Sequence, residues 1–69
     1  MGKRDEAVSF ENVDAIHETT MAVLVRIEGK EVWIPKSQIH DDSEVYDAEE
    51  HDSGTLVLTE WIARQKGLI

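Results

Sequence analysis

The sequence predicts a mainly β fold that ends in one short helix. Three observations carry that prediction. Met21, Val23, Val25 and Ile27 alternate with Ala22, Leu24, Arg26 and Glu28, ahead of a glycine and a second strand-like run at 31–34, the period of strands. Residues 55–59, Thr-Leu-Val-Leu-Thr, are strong strand formers. Thr59 and Gly67 then flank a segment of helical length, in the positions of an N-cap and a C′ residue.

Taken in order, residues 1–7 are charged and aperiodic and read as a disordered lead-in. Residues 8–69 are then a single small β-rich domain. Val8 and Phe10 alternate with Ser9 and Glu11, and Val13, Ala15 and Ile16 continue the extended pattern. His17-Glu18-Thr19-Thr20 is expected to turn the chain into a strand from Met21 to Ile27. The next strand is Glu31-Val32-Trp33-Ile34. Between them Glu28-Gly29-Lys30-Glu31 has glycine at the first central position of a type II′ turn. That turn sets Ile27 opposite Val32 and Val25 opposite Ile34, with all four on one face. On the other face it sets Arg26 against Trp33, a cation–π geometry.

Pro35 cannot donate to a ladder, so the strand stops there. Lys36–Ile39 reads as a short turn of 3₁₀ type that returns Ile39 to the core. Residues 40–54 read as a polar loop with a short strand at Glu44-Val45-Tyr46. A helix over 60–66 follows the 55–59 strand. Glu60 and Lys66 suit the ends of its dipole, and Trp61 and Ile62 are expected to pin it to the sheet. These elements point to a small, strongly bent antiparallel sheet or to a barrel of SH3-like or OB-like type.

At 69 residues the domain buries only roughly 60% of its unfolded surface and is marginal unless something helps it. The chain has no cysteine, so disulfides and thiolate metal sites are excluded. Homo-oligomerisation or a bound partner is the remaining helper. No stretch approaches the roughly 20 apolar residues of a membrane span, and the charged start, Met1 to Glu6, lacks a signal-peptide pattern. The expected setting is cytoplasmic, away from membranes.

Charge is the strongest compositional fact. The formal net charge is −8, and residues 31–60 hold nine acidic residues against one basic. Asp41, Asp42, Glu44, Asp47, Glu49, Glu50 and Asp52 fall in a stretch without Lys or Arg. Such a surface repels a phosphate backbone and attracts a basic protein. A solvated acidic run that keeps a small protein soluble is the alternative.

His40-Asp41-Asp42 and Glu50-His51-Asp52 lack zinc-ligand spacing. A calcium loop begun at Asp47 would need glycine where Asp52 stands. Neither a metal nor another cofactor is expected. Ser37, Ser43 and Ser53 have no activating motif, and no glycine-rich phosphate cradle is present. No catalytic residues are assigned and the chain is not expected to be an enzyme. Phe10 and Trp61 are expected in the core. Trp33 falls on the face opposite Val32 and Ile34 and is expected to be an exposed anchor.

Glu31-Val32-Trp33-Ile34-Pro35-Lys36-Ser37-Gln38-Ile39, with Leu58-Thr59-Glu60-Trp61-Ile62-Ala63, resembles stretches of small uncharacterised acidic proteins borne by phages, prophages and other mobile elements. The resemblance covers less than a quarter of the chain and implies a mobile-element accessory role. Some proteins of that setting, of anti-restriction and anti-CRISPR type, inhibit host defence by occupying nucleic-acid sites.

The leading expectation is a non-enzymatic interaction module. Its seven clustered acids, with Trp33, would bind a basic surface of a nucleic-acid-handling protein, as a nucleic-acid mimic. The alternative is an OB-like or SH3-like accessory that contacts single-stranded nucleic acid through Arg26, Trp33 and Lys36.

Overall fold

The structure, a computed structural model, describes residues 6–50 and 52–69. Most of the expected lead-in, residues 1–5, and His51 of the Glu50-His51-Asp52 group lie outside the described residues. The strands are β1 (Ala7–Glu18), β2 (Ala22–Ile27), β3 (Lys30–Pro35) and β4 (Ser53–Thr59). A 3₁₀ turn, Lys36–Gln38, follows β3, and helix α1 (Glu60–Gln65) follows β4. The strands form one antiparallel sheet in the order β3-β2-β1-β4.

β1 is long because it serves two partners. Its first part pairs with β4 and its last part with β2. Two bulges interrupt it, one between Phe10 and Val13 and one between Ala15 and His17. Asn12, in the first, has φ 58°, a conformation that asparagine tolerates better than most residues. Each bulge adds one unpaired residue and sharpens the local bend. The first also resets the alternation, so that Phe10, Val13 and Ala15 all reach the core.

The sheet is bent but open, with β3 and β4 as its edges. The barrel alternative is therefore corrected. Four strands curl around one side of the core, and the other side is covered by the segment after β3 and by α1. Val13, Val23, Val25, Ile34, Leu56 and Leu58 are fully buried from the sheet. Val45 from the loop and Ile62 from α1 close the cluster, with Ile39, Ala48 and Leu68 at its margin. Each fully buried Val, Leu or Ile contributes about 1.5–3 kcal/mol relative to exposure.

The β2–β3 hairpin keeps the expected faces but not the expected register. Its turn is Glu28-Gly29, with φ 51° and 85°, and Ile27 pairs with Lys30. Positive φ at both central residues makes it type I′, the hand that matches strand twist. Val25 therefore opposes Val32, Val23 opposes Ile34, and Leu24, not Arg26, opposes Trp33. Arg26 opposes Glu31, and their charged groups lie 3.6 Å apart. Because the slip is two residues, every side chain stays on its predicted face.

Three further expectations are corrected. His17 and Glu18 belong to β1, and the turn is made by Thr19, Thr20 and Met21, where the Thr19 Oγ1 accepts the Ala22 N–H at 3.1 Å. Glu44-Val45-Tyr46 is not a strand. Trp61 does not pin α1: it is 53% exposed, and Ile62 and Ala63 are the buried residues of that helix. A six-residue helix has only one side against the sheet, and Ile62 occupies it. The predicted caps do form. The Thr59 Oγ1 accepts the Ile62 N–H at 3.3 Å and donates to the Gln38 side chain at 2.7 Å. At the other end, Gly67 N–H reaches the Arg64 carbonyl and Leu68 N–H the Ala63 carbonyl, the bonding of a Schellman motif.

Candidate functional site

The segment from Ile39 to Asp52 is a loop in outline but not a loose one. It runs along the outer edge of β4 and satisfies its backbone. His40 N–H donates to the Val57 carbonyl at 2.8 Å, and Glu44 N–H to the Thr55 carbonyl at 2.9 Å. Side chains supply the acceptors. The Ser43 Oγ, buried, accepts the Val57 N–H at 3.0 Å and donates to the Val45 carbonyl at 2.7 Å. The Glu44 carboxylate accepts the Thr55 N–H at 2.9 Å. An edge sealed in this way cannot recruit another strand.

Val45 pins the middle of the loop, and Glu18 pins its far side. The Glu18 carboxylate accepts the Ala48 N–H at 3.1 Å and holds the Lys36 ammonium at 2.5 Å. These two contacts, Lys36 first and Ala48 second, hold the Glu18 carboxyl below the usual glutamate range. Glu60 is likewise lowered, chiefly by its hydrogen bond from Arg64 and then by one with Glu6. Both groups are therefore firmly anionic at neutral pH.

The seven acids divide by role. Glu44 is committed to β4. The Asp47 Oδ1 accepts the N–H groups of Glu49 and Glu50, each at 3.0 Å, so it shapes the backbone that displays those two. Asp41, Asp42, Glu49, Glu50 and Asp52 are exposed. The chain at Asp52 is fixed in turn, because its carbonyl accepts the Ala15 N–H at 2.7 Å. Five carboxylates thus stand on a backbone tied to β1, β4 and the core.

Trp33 is 40% exposed, as its strand phase predicts. It projects from the face opposite the one on which Val45 and Ala48 pack, so it does not share a surface with the loop's anchors. Its ring neighbour is His17, edge to face with centroids 6.0 Å apart, in place of Arg26. Arg26 is engaged with Glu31 and Lys36 with Glu18. The three residues of the nucleic-acid alternative are therefore not assembled: one lies at the rim of the core face, and both cations already face carboxylates.

Sequence reasoning missed Glu18, Ser43 and Val45 as the residues that hold the loop. The one available signal was Val45, an aliphatic residue isolated in a polar stretch. Among the described residues, no group of three or more His, Asp or Glu side chains is placed to hold a metal ion. Nor is any helix among them long and apolar enough to cross a membrane. No family model, no curated protein and no solved structure matches the chain.

Proposed function

We propose that this protein is a non-enzymatic interaction module whose anchored acidic loop docks onto a basic surface of a nucleic-acid-handling protein in the cytoplasm. The observation that supports the reading is the rigid presentation of Asp41, Asp42, Glu49, Glu50 and Asp52. Charges on a fixed backbone lose less conformational entropy on binding than charges on a free tail. A cluster of exposed carboxylates on an edge strand's cover presents the negative charge that a basic, phosphate-binding groove attracts. On this reading the protein occupies that groove as a nucleic-acid mimic, in the manner of anti-restriction and anti-CRISPR inhibitors. The resemblance to phage- and prophage-borne acidic proteins suggests a host enzyme as the target.

Direct contact with single-stranded nucleic acid is the weaker reading. It needs free cations beside Trp33, and the Arg26–Glu31 and Lys36–Glu18 pairs count against it. The proposal is tested by capture from a nuclease-treated bacterial lysate, followed by salt titration of the purified complex. The expected result is a basic nucleic-acid-binding protein released by moderate salt. Neutralising the five exposed acids together (D41N, D42N, E49Q, E50Q, D52N) is expected to abolish that binding while the fold persists. Binding unchanged in that variant refutes the proposal.

A further inference from the structure

The two edges of the sheet are treated differently. The outer edge of β4 is sealed by Ser43, Glu44 and His40. Among the described residues, no element pairs with the outer edge of β3. In a hairpin closed by Ile27 and Lys30, even-numbered residues of β3 bond to β2 and odd-numbered ones point outward. The Lys36 N–H, bonded to the Met21 carbonyl at 2.9 Å, extends the same parity. Glu31 and Trp33 thus present free backbone N–H and C=O groups at the edge, and the adjacent apolar side chains, Val32 and Trp33, are only partly covered.

We propose that this edge pairs with β3 of a second copy of the chain, antiparallel, about a two-fold axis at Val32. Charge selects the edge. The acidic loop covers β4, at the far side of the sheet, whereas Arg26, Lys30 and Lys36 accompany Glu28 and Glu31 on the β2–β3 side. In a chain of net charge −8, association through β3 keeps the two acidic loops at opposite ends of one continuous sheet.

Register follows from the residues. Centring on Glu31 sets two glutamates face to face, which is destabilising. Centring on Trp33 sets Lys30 against Lys36 of the second copy, and brings Pro35, which has no N–H, opposite Glu31. Centring on Val32 pairs Glu31 with Trp33 of the second copy, and the reverse, so both residues use both backbone groups. No like charges face each other, and the two indoles become diagonal neighbours, within aromatic reach. The inference stands on β3 alone and does not depend on the role of the acidic loop.

Sedimentation of the full chain is the test. The expected species is a dimer that strengthens with salt, because each chain carries a net charge of −8 and salt screens the repulsion between the two copies. Trp33→Glu, which sets a second carboxylate directly opposite Glu31 of the other copy at both ends of the seam, is expected to halve the mass with an unchanged far-UV circular dichroism spectrum. The chain has no cysteine, so Val32→Cys provides a single thiol. Residues opposite each other at a non-hydrogen-bonded position lie about 4.5 Å apart at Cα, within disulfide reach. Mild oxidation is therefore expected to join V32C chains and not W33C chains. A wild-type monomer at the highest soluble concentration overturns the proposal. So does a dimer that survives W33E, or a folded V32C protein that fails to cross-link.

Discussion

The Glu44 carboxylate occupies the space that a side chain on Gly54 would need. A β-carbon built on Gly54 would lie 2.5 Å from the Glu44 Oε1, the atom that accepts the Thr55 N–H. Gly54 also has φ 130°, a conformation that costs other residues roughly 1–3 kcal/mol. One glycine therefore lets the acidic loop close onto β4.

Gly54→Ala is expected to destabilise the fold by about 1–3 kcal/mol through backbone strain, and by more where Glu44 is displaced from β4. Urea denaturation measures the loss. In a double-mutant cycle with Glu44→Ala, the combined loss is expected to be smaller than the sum of the single losses, because the clash is counted once. Strict additivity would show that the two residues do not share that space.

Val45→Ala removes two buried methyl groups and is expected to cost about 2 kcal/mol. Among the described residues, Val45 is the only fully buried aliphatic one between Ile34 and Leu56, so the loss is expected to appear first as loosening of the loop. Limited proteolysis of the variant is expected to cut within residues 40–52 while the sheet amides keep their exchange protection. Equal loss of protection throughout the sheet would contradict this role.

The Glu18 latch is expected to make stability pH-dependent in a defined direction. A carboxyl lowered by folding stabilises the native state above its unfolded value, about 4.3 for glutamate. That contribution disappears as pH falls through the folded value. Glu18→Gln keeps an oxygen for the Ala48 N–H but loses the charge opposite Lys36. Its stability at neutral pH is expected to be lower than wild type, and the two curves are expected to converge in acid. Parallel curves down to low pH would rule the latch out.

Thr59→Ala removes both the N-cap of α1 and the bond to Gln38. The expected cost is about 1 kcal/mol for the cap alone, read as a lower melting temperature. Thr59→Ser keeps the oxygen and is expected to recover most of it.

Much of the fold was legible in local chemistry. The face assignments of Val23, Val25, Ile27 and Ile34 follow from period two, and both caps of α1 from Thr59 and Gly67, because these signals depend only on neighbours in the chain. The hairpin register was not legible. A type II′ turn at Gly29-Lys30 and a type I′ turn at Glu28-Gly29 place the same side chains on the same faces, so hydrophobic pattern cannot choose between them. Trp61 misled for a related reason: its size argues for burial, but the short helix turns Ile62 and Ala63 inward and leaves Trp61 on its outer side.

The acidic loop shows the same division between local and distant causes. Its composition and its seven acids were plain in the chain, as were the β class, the C-terminal helix and the break at Pro35. Its order was decided elsewhere, by Glu18 reaching Ala48 across 30 positions and by Val45 finding a site between sheet and helix. The sequence by itself thus determined the inward face of β2 and β3, the break at Pro35 and both caps of α1. Only tertiary structure decided the register of β3, the open sheet with one sealed edge and one bare edge, and the fixed backbone beneath the acids. Those outcomes depend on contacts between residues far apart in the chain, whose free energy no local window contains.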